Sequence, residues 1–194
     1  MSGHPTGATT GATTGPRVFV AGTMQGAGNG LDIADQTYRD VIRDAVLARF
    51  PDAECLDPGR PVQELVAGMA ARPDEFAALA AQLGAERVDL DALGADVQRI
   101  RGAFREMTAL AAECDLVIAY LPGTTPSMGT AMEMYQAYLA GVPVLAITEQ
   151  RMNLSLLSTA TWVISGLGGL GAWLERHEFH DDAQEEDQEG DDER

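Results

Sequence analysis

The 194-residue sequence contains no lysine; all 13 basic residues are arginine, set against 30 aspartates and glutamates for a formal net charge of -17. Without lysine there is no Schiff-base nucleophile, no Walker A phosphate loop and no lysine general base. The acidic balance also lacks the basic face that a nucleic-acid backbone requires, so no nucleic-acid partner is expected. Histidine is nearly as scarce. His4, His177 and His180 are the whole supply, and each lies in a segment without structural pattern. That removes a Ser-His-Asp triad, an HExxH zinc site and a Cys-His pair from the folded body. Cys55 and Cys114 are the only cysteines and form no CxxC, so they read as small buried hydrophobes of a reducing compartment. Neither a metal nor an organic cofactor is expected. No apolar run reaches the ~18 residues of a membrane span, and the N-terminus has no basic stretch followed by an apolar one. The expectation is a soluble cytoplasmic protein with no membrane partner, in which carboxylates do any acid–base work.

Residues 1–16 hold a short GATT repeat without apolar periodicity and are expected to be a disordered arm. Residues 177–194 carry ten acids and one arginine, about half of the net charge, and are expected to be a disordered acidic tail. Between them, in residues 17–176, short β-branched runs alternate with helical stretches. Strands are predicted at Arg17–Thr23, Ala53–Pro58, Leu116–Leu121, Val142–Thr148 and Thr161–Ser165. Helices are predicted at Ala34–Phe50, Val62–Arg72, Asp74–Leu83 with Asp74 as N-cap, from Val97 to Cys114, at Met128–Ala140 and at Leu167–Arg176. Strands that are apolar on both faces and alternate with helices imply an α/β fold. The expected architecture is flavodoxin-like (Rossmann-like) and doubly wound, with five parallel strands in the order 2-1-3-4-5. Ligands of such folds sit at the carboxyl ends of the strands, at the switch between strands one and three.

Two loops reach that point. The first, Gly22–Gly30, has the glycines for close approach of backbone N–H groups to an anion, but it is not a GxGxxG fingerprint. A mobile glycine loop without a ligand fits it as well. The second, LPGTTPSMGTAMEMYQAY, offers Ser127 as an N-cap with Gly129 and Thr130 in the first helical turn, where free N–H groups make a phosphate seat. Glu133 follows six residues after Ser127, a helical rise of ~9 Å, and its side chain leans back toward the helix start. One helix end could thus hold a phosphate and present a carboxylate one ribose length away. Taken alone, an SxGxxxE stretch is more often a cap and a solvated glutamate.

The stretch CDLVIAYLPGTTPSMGTAMEMYQAYLAGVPVLAI, together with the strand-GT…G start, resembles the nucleoside 2-deoxyribosyltransferase-like superfamily, which includes nucleoside 5′-monophosphate N-glycosidases. The resemblance spans about residues 17–165 and is sharpest over Asp115–Ile147. It makes Glu133 the catalytic nucleophile. It also makes Ser127, where nucleoside transferases carry Asp, a mark of members that bind a 5′-phosphate. Gly129, Thr130 and Glu133 similarly match the GTxxE part of the cytokinin-activating phosphoribohydrolase motif. The family's second carboxylate has no exact counterpart, and Glu106, one residue out of place, is the candidate. The family's strand-one tyrosine is Phe19 here, which leaves room for a ribose 2′-OH. Asp35 and Tyr38 are candidates for the missing polar contacts. Residues 59–96 exceed what compact members need and suggest a lid or a dimer surface.

The reading that results is an N-glycosidase hydrolysing a nucleoside 5′-monophosphate, ribonucleotides slightly favoured, to free base and (deoxy)ribose 5-phosphate. In it Glu133 is nucleophile or oxocarbenium stabiliser and Glu106 the acid–base partner. Gly22, Thr23, Gly26, Ser127, Gly129 and Thr130 bind the substrate, with Phe19, Asp35 and Tyr38 beside them. The alternatives are a deoxyribosyltransferase exchanging bases and a non-catalytic nucleotide-binding or sensing protein. A homodimer or larger assembly is expected, with a polar residue after strand four, Asn153 foremost, completing the neighbour's site.

Overall fold

The computed structural model describes residues 15–25 and 33–179. Residues 1–14, most of the acidic tail and the candidate residue Gly26 lie outside them. Five parallel strands form one sheet in the order β2-β1-β3-β4-β5. They are β1 (Arg17–Gly22), β2 (Glu54–Leu56), β3 (Leu116–Leu121), β4 (Val144–Thr148) and β5 (Trp162–Ile164). This is the expected doubly wound α/β topology, and it follows from alternation within the strands. Val18 and Val20, Leu116 and Ile118, and Leu145 and Ile147 face one layer. Phe19 and Ala21, Val117 and Ala119, and Val144 and Ala146 face the other. A strand apolar on both faces is stable only when helices cover both.

The first layer is α1 (Thr37–Arg49) and α7 (Leu170–Leu174), which add Tyr38, Ile42, Val46, Leu170 and Leu174 to that core. The second is α5 (Met128–Leu139), α6 (Leu154–Thr159) and a 3-10 turn at Leu110–Glu113, which add Met134, Ala137, Leu156, Ala111 and Cys114. Each fully buried aliphatic side chain here contributes about 1.5–3 kcal/mol. Helix α5 closes on Gly141, whose φ of 75° suits a residue without Cβ.

Outside these layers, α4 (Ala95–Ala109) packs on α5, and α2 (Gly59–Ala70) pairs with α3 (Pro73–Leu83). Helix α3 starts one residue earlier than the sequence pattern predicts. Pro73 takes its first turn, where the missing N–H costs nothing, so Asp74 is not the cap. The long helix predicted to Cys114 ends at Ala109 and tightens into the 3-10 turn. Helix α6 was not predicted; Asn153 caps it, its Oδ1 accepting from the N–H groups of Ser155 and Leu156. No helix among the described residues is long and apolar enough to cross a membrane.

Candidate active site

The switch point is where β1 leads to α1 on one face and β3 leads to α5 on the other. On α5 the buried positions are Thr130, Glu133, Met134 and Ala137, a single stripe at helical spacing. Glu133 therefore occupies a core-facing position and retains only 9% of its accessible surface. Burial pushes its carboxyl up to about 8, against an opposing pull from Arg39 and a further push from Asp57. A carboxyl held this way carries its proton at neutral pH and becomes a poorly solvated, strongly attracted anion once ionised.

At the start of the same helix, Ser127 Oγ accepts from the backbone N–H of Thr130 at 3.3 Å and from its hydroxyl at 2.9 Å. A serine hydroxyl has two acceptor sites and one proton to give. With Thr130 supplying both of these hydrogens, the Ser127 hydroxyl retains its own proton for a further partner. Ser127 and Asn153 border the same cavity of about 190 Å³ between α5 and α6, floored by Leu121, Met134 and Leu156. Asn153 thus lies beside the Ser127 of its own chain. Gly129 faces α4: a Cβ there would stand 3.4 Å from the Phe104 ring, in ordinary contact.

From β1 the chain brings Gly22 and Thr23. A Cβ on Gly22 would lie 2.3 Å from the Tyr38 hydroxyl, so only glycine admits that ring. Tyr38 packs against Tyr120, tilted, at a centroid distance of 4.7 Å, and burial raises its phenol pKa, so it stays protonated. The Thr23 hydroxyl is buried without a hydrogen-bond partner. Buried orphan hydroxyls are uncommon, and one at the carboxyl end of β1 is suited to a ligand. Asp35 instead serves the backbone, accepting from the N–H and hydroxyl of Thr37 at 3.0 and 2.8 Å, and these bonds lower its pKa.

Two of the sequence-predicted residues are not brought to this place. Phe19 is fully buried in the apolar layer beneath α5, so it packs as core and does not line the site. Glu106 is exposed. Phe104 faces Gly129 on α5, and two residues of helix turn the side chain by about 200°, which carries Glu106 to the far side of α4.

The structure supplies two residues that no sequence pattern marks. Arg39 is buried on α1. It donates through Nη1 to Asp57 Oδ1 at 2.6 Å and to the Val20 carbonyl at 2.8 Å, and through Nε to Gln36 Oε1 at 2.8 Å. Gln36 in turn donates to the Thr23 carbonyl at 3.1 Å. Asp57, just past β2, also accepts from the Gly59 N–H at 2.7 Å. A chain of polar contacts therefore joins the ends of β1 and β2 to the start of α1, and its charges act on Glu133.

No family model and no curated protein matches the sequence. Among solved structures, a 2-deoxyribosyltransferase from the psychrotolerant bacterium Bacillus psychrosaccharolyticus aligns over 84% of this chain and 93% of its own, at 12% identity and a TM-score of 0.49. A conserved protein from Enterococcus faecalis V583 aligns over 81% and 87%, at 22% identity and a TM-score of 0.38. Likeness at this level says nothing about a reaction.

Proposed function

We propose that this chain is an N-glycosidase that hydrolyses nucleoside 5′-monophosphates to free base and sugar 5-phosphate. The observation that carries the reading is a buried carboxyl, Glu133, on the helix that Ser127 caps. The GTxxE resemblance includes the same glutamate.

In this reading the 5′-phosphate meets the start of α5, where free N–H groups and the Ser127 hydroxyl favour an anion. The Thr23 hydroxyl, otherwise unpaired, donates to the sugar phosphate. The anomeric carbon then lies against Glu133. In molecules whose Glu133 has given its proton to solvent, the electron pair of the breaking C1′–N bond leaves with the base, and the Glu133 carboxylate stabilises the positive charge growing on the ribose ring. That interaction exists only in the transition state, so it accelerates the reaction without tightening ground-state binding. Water completes the hydrolysis, its oxygen going to C1′ and a proton to the base. Glu106 faces away from α5, so the proton donor for the base is not assigned to it.

The chain is further proposed to work as a homodimer through the outer face of α5. Chromatography for released base, over a panel of ribo- and deoxyribonucleoside monophosphates and nucleosides, tests the function. Release from monophosphates with sugar 5-phosphate as co-product is the expected result. Base exchange on adding a second base would make the protein a transferase, and nucleotide binding with no turnover would make it a sensor.

A further inference from the structure

The residue at the N-cap position of α1 does not cap the helix with its side chain. Gln36 stands there, yet its carboxamide makes no hydrogen bond to the first turn; Asp35 does so instead, accepting from the Thr37 N–H. The Gln36 side chain turns back toward β1. Its Nε2 lies 2.9 Å from the Ala34 carbonyl, 3.1 Å from that of Thr23 and 3.3 Å from that of Asp35. Its Oε1 accepts from Arg39 Nε at 2.8 Å and from the Tyr38 hydroxyl at 3.3 Å. Arg39 has only protons to give and the carbonyls have none, so the amide has a single possible orientation. Arg39 is buried and is itself held by the Val20 carbonyl and Asp57, which fixes the Gln36 oxygen against α1.

One side chain thus joins both ends of the connection between β1 and α1, where the Ala34 N–H also donates to the Met24 carbonyl at 2.7 Å. What this junction holds is Thr23. The sheet's hydrogen bonding runs one residue past β1, the Thr23 N–H donating to the Tyr120 carbonyl at 3.3 Å. Thr23 therefore keeps the alternation of the strand and falls on the side of Phe19 and Ala21, the side on which α5 packs. With its N–H bound to β3 and its carbonyl to Gln36, both backbone groups are engaged. Only the hydroxyl, buried and without a partner, is left over. We propose that Gln36 is a positioning residue: it fixes Thr23 so that the spare hydroxyl meets the 5′-phosphate of the substrate. The inference rests on the reading of the substrate as a nucleoside 5′-monophosphate. A hydroxyl aimed in advance donates to the anion without giving up rotational freedom on binding. Released from Gln36, the Thr23 peptide is free to turn and its hydroxyl to bond to its own chain. The phosphate does not change during C1′–N cleavage, so the effect falls on KM and not on kcat.

Gln36→Leu keeps the bulk and removes every hydrogen bond of the side chain, and Gln36→Glu keeps an oxygen for Arg39 while setting a second one against the carbonyls. Either variant carries the test alone if the other does not fold. Methyl NMR of the full chain without ligand, with the Thr23 signal identified by its absence in Thr23→Val, reads the threonine rotamer through three-bond couplings. The native chain is expected to show one rotamer at Thr23 and the Gln36 variants an average of several, while the Thr108 and Thr161 signals stay in place. KM for a monophosphate is expected to rise about tenfold in Gln36→Leu, with kcat within about twofold of native. The double variant Gln36→Leu/Thr23→Val is expected to be no worse than Thr23→Val alone, because Gln36 acts through Thr23; a residue that only supports the fold would add its own loss. A Thr23 rotamer that stays fixed in the folded variants, an unchanged KM, or losses that add overturns the proposal. A rotamer that averages as expected in a chain that neither binds nor cleaves a monophosphate upholds the hold of Gln36 on Thr23 and overturns the monophosphate reading instead.

Discussion

At Glu133, function and stability pull in opposite directions. Its carboxyl titrates at about 8 in the folded chain, against an ordinary 4.5. The folded state therefore favours the protonated form. That contribution is complete below about pH 4.5 and is lost progressively as pH rises through 8, because the unfolded chain gives up the proton sooner. Glu133→Gln, which is neutral at every pH, is accordingly expected to raise the melting temperature above pH 8, by an amount worth a few kcal/mol, and to change it little at pH 4.5. The same variant is expected to lose base release by about three orders of magnitude or more. Calorimetry at the two pH values and a turnover assay check both halves; a variant that is destabilised at pH 8.5 would show that Glu133 is not strained by its burial. At this scale the sequence exposed only part of the candidate site. Glu133 and Ser127 stand out as candidates because both lie on one helix at a spacing that helical geometry interprets. Arg39 and Asp57 could not, since their pairing is created by β1 and β2 lying side by side. Phe19 was misplaced for a related reason: in a strand with both faces apolar, alternation does not say which face meets a ligand. Glu106 was misplaced by helical phase.

Helix α5 carries the proposed phosphate seat in its cap, and cap and seat can be separated by substitution. Asp is as good an N-cap as Ser, so Ser127→Asp keeps an oxygen for the Thr130 N–H and is expected to leave the unfolding free energy within about 0.5 kcal/mol of native. Its carboxylate faces the incoming phosphate, so KM for a monophosphate is expected to rise by about tenfold or more while the matching nucleoside is little affected. Ser127→Ala removes the cap and is expected to cost about 1 kcal/mol in a denaturant titration. Equal losses for both substrates in Ser127→Asp would move the seat elsewhere. The chain end behaves as an element too. His177 stacks on Trp173 at 4.4 Å, and Phe179 meets Phe50 edge-on at 4.9 Å, so the packed chain runs through three residues that sequence assigns to the tail. Truncation after Phe179 is expected to leave thermal stability unchanged, and truncation after Arg176 to lower it measurably. Strands β1, β3 and β4 were legible as unbroken apolar runs. Helix α6 was not, because its six residues span too few turns for a period to show.

The topology of the whole molecule could be read from the alternation of elements, since a parallel sheet needs right-handed crossovers and few orders satisfy them. Assembly depends instead on which surfaces the finished fold leaves bare. On α5, the face opposite Glu133 bears Met128, Met132, Tyr135 and Leu139 at steps of four, three and four, all exposed, and α6 adds exposed Leu154 and Leu157 beside it. No exposed position of α5 carries a charge, in a chain with 43 charged side chains. An apolar surface of that extent is unfavourable in water and self-complementary across a two-fold axis. Sedimentation equilibrium at low micromolar concentration is expected to find a dimer, and Leu139→Glu, which places like charges against each other across the axis, a monomer. The arrangement of Asn153 decides whether the two sites are shared. It borders the same cavity as Ser127 within one chain, so the proposed site takes its residue 153 from its own chain. Mixing inactive Glu133→Ala with Asn153→Ala and allowing subunits to exchange is therefore expected to restore no activity, because each chain of the mixed dimer carries its own defect. Recovery toward about a quarter of native turnover, the limit for random exchange with one intact site per mixed dimer, would mean that Asn153 crosses the interface, and that the dimer is the catalytic unit.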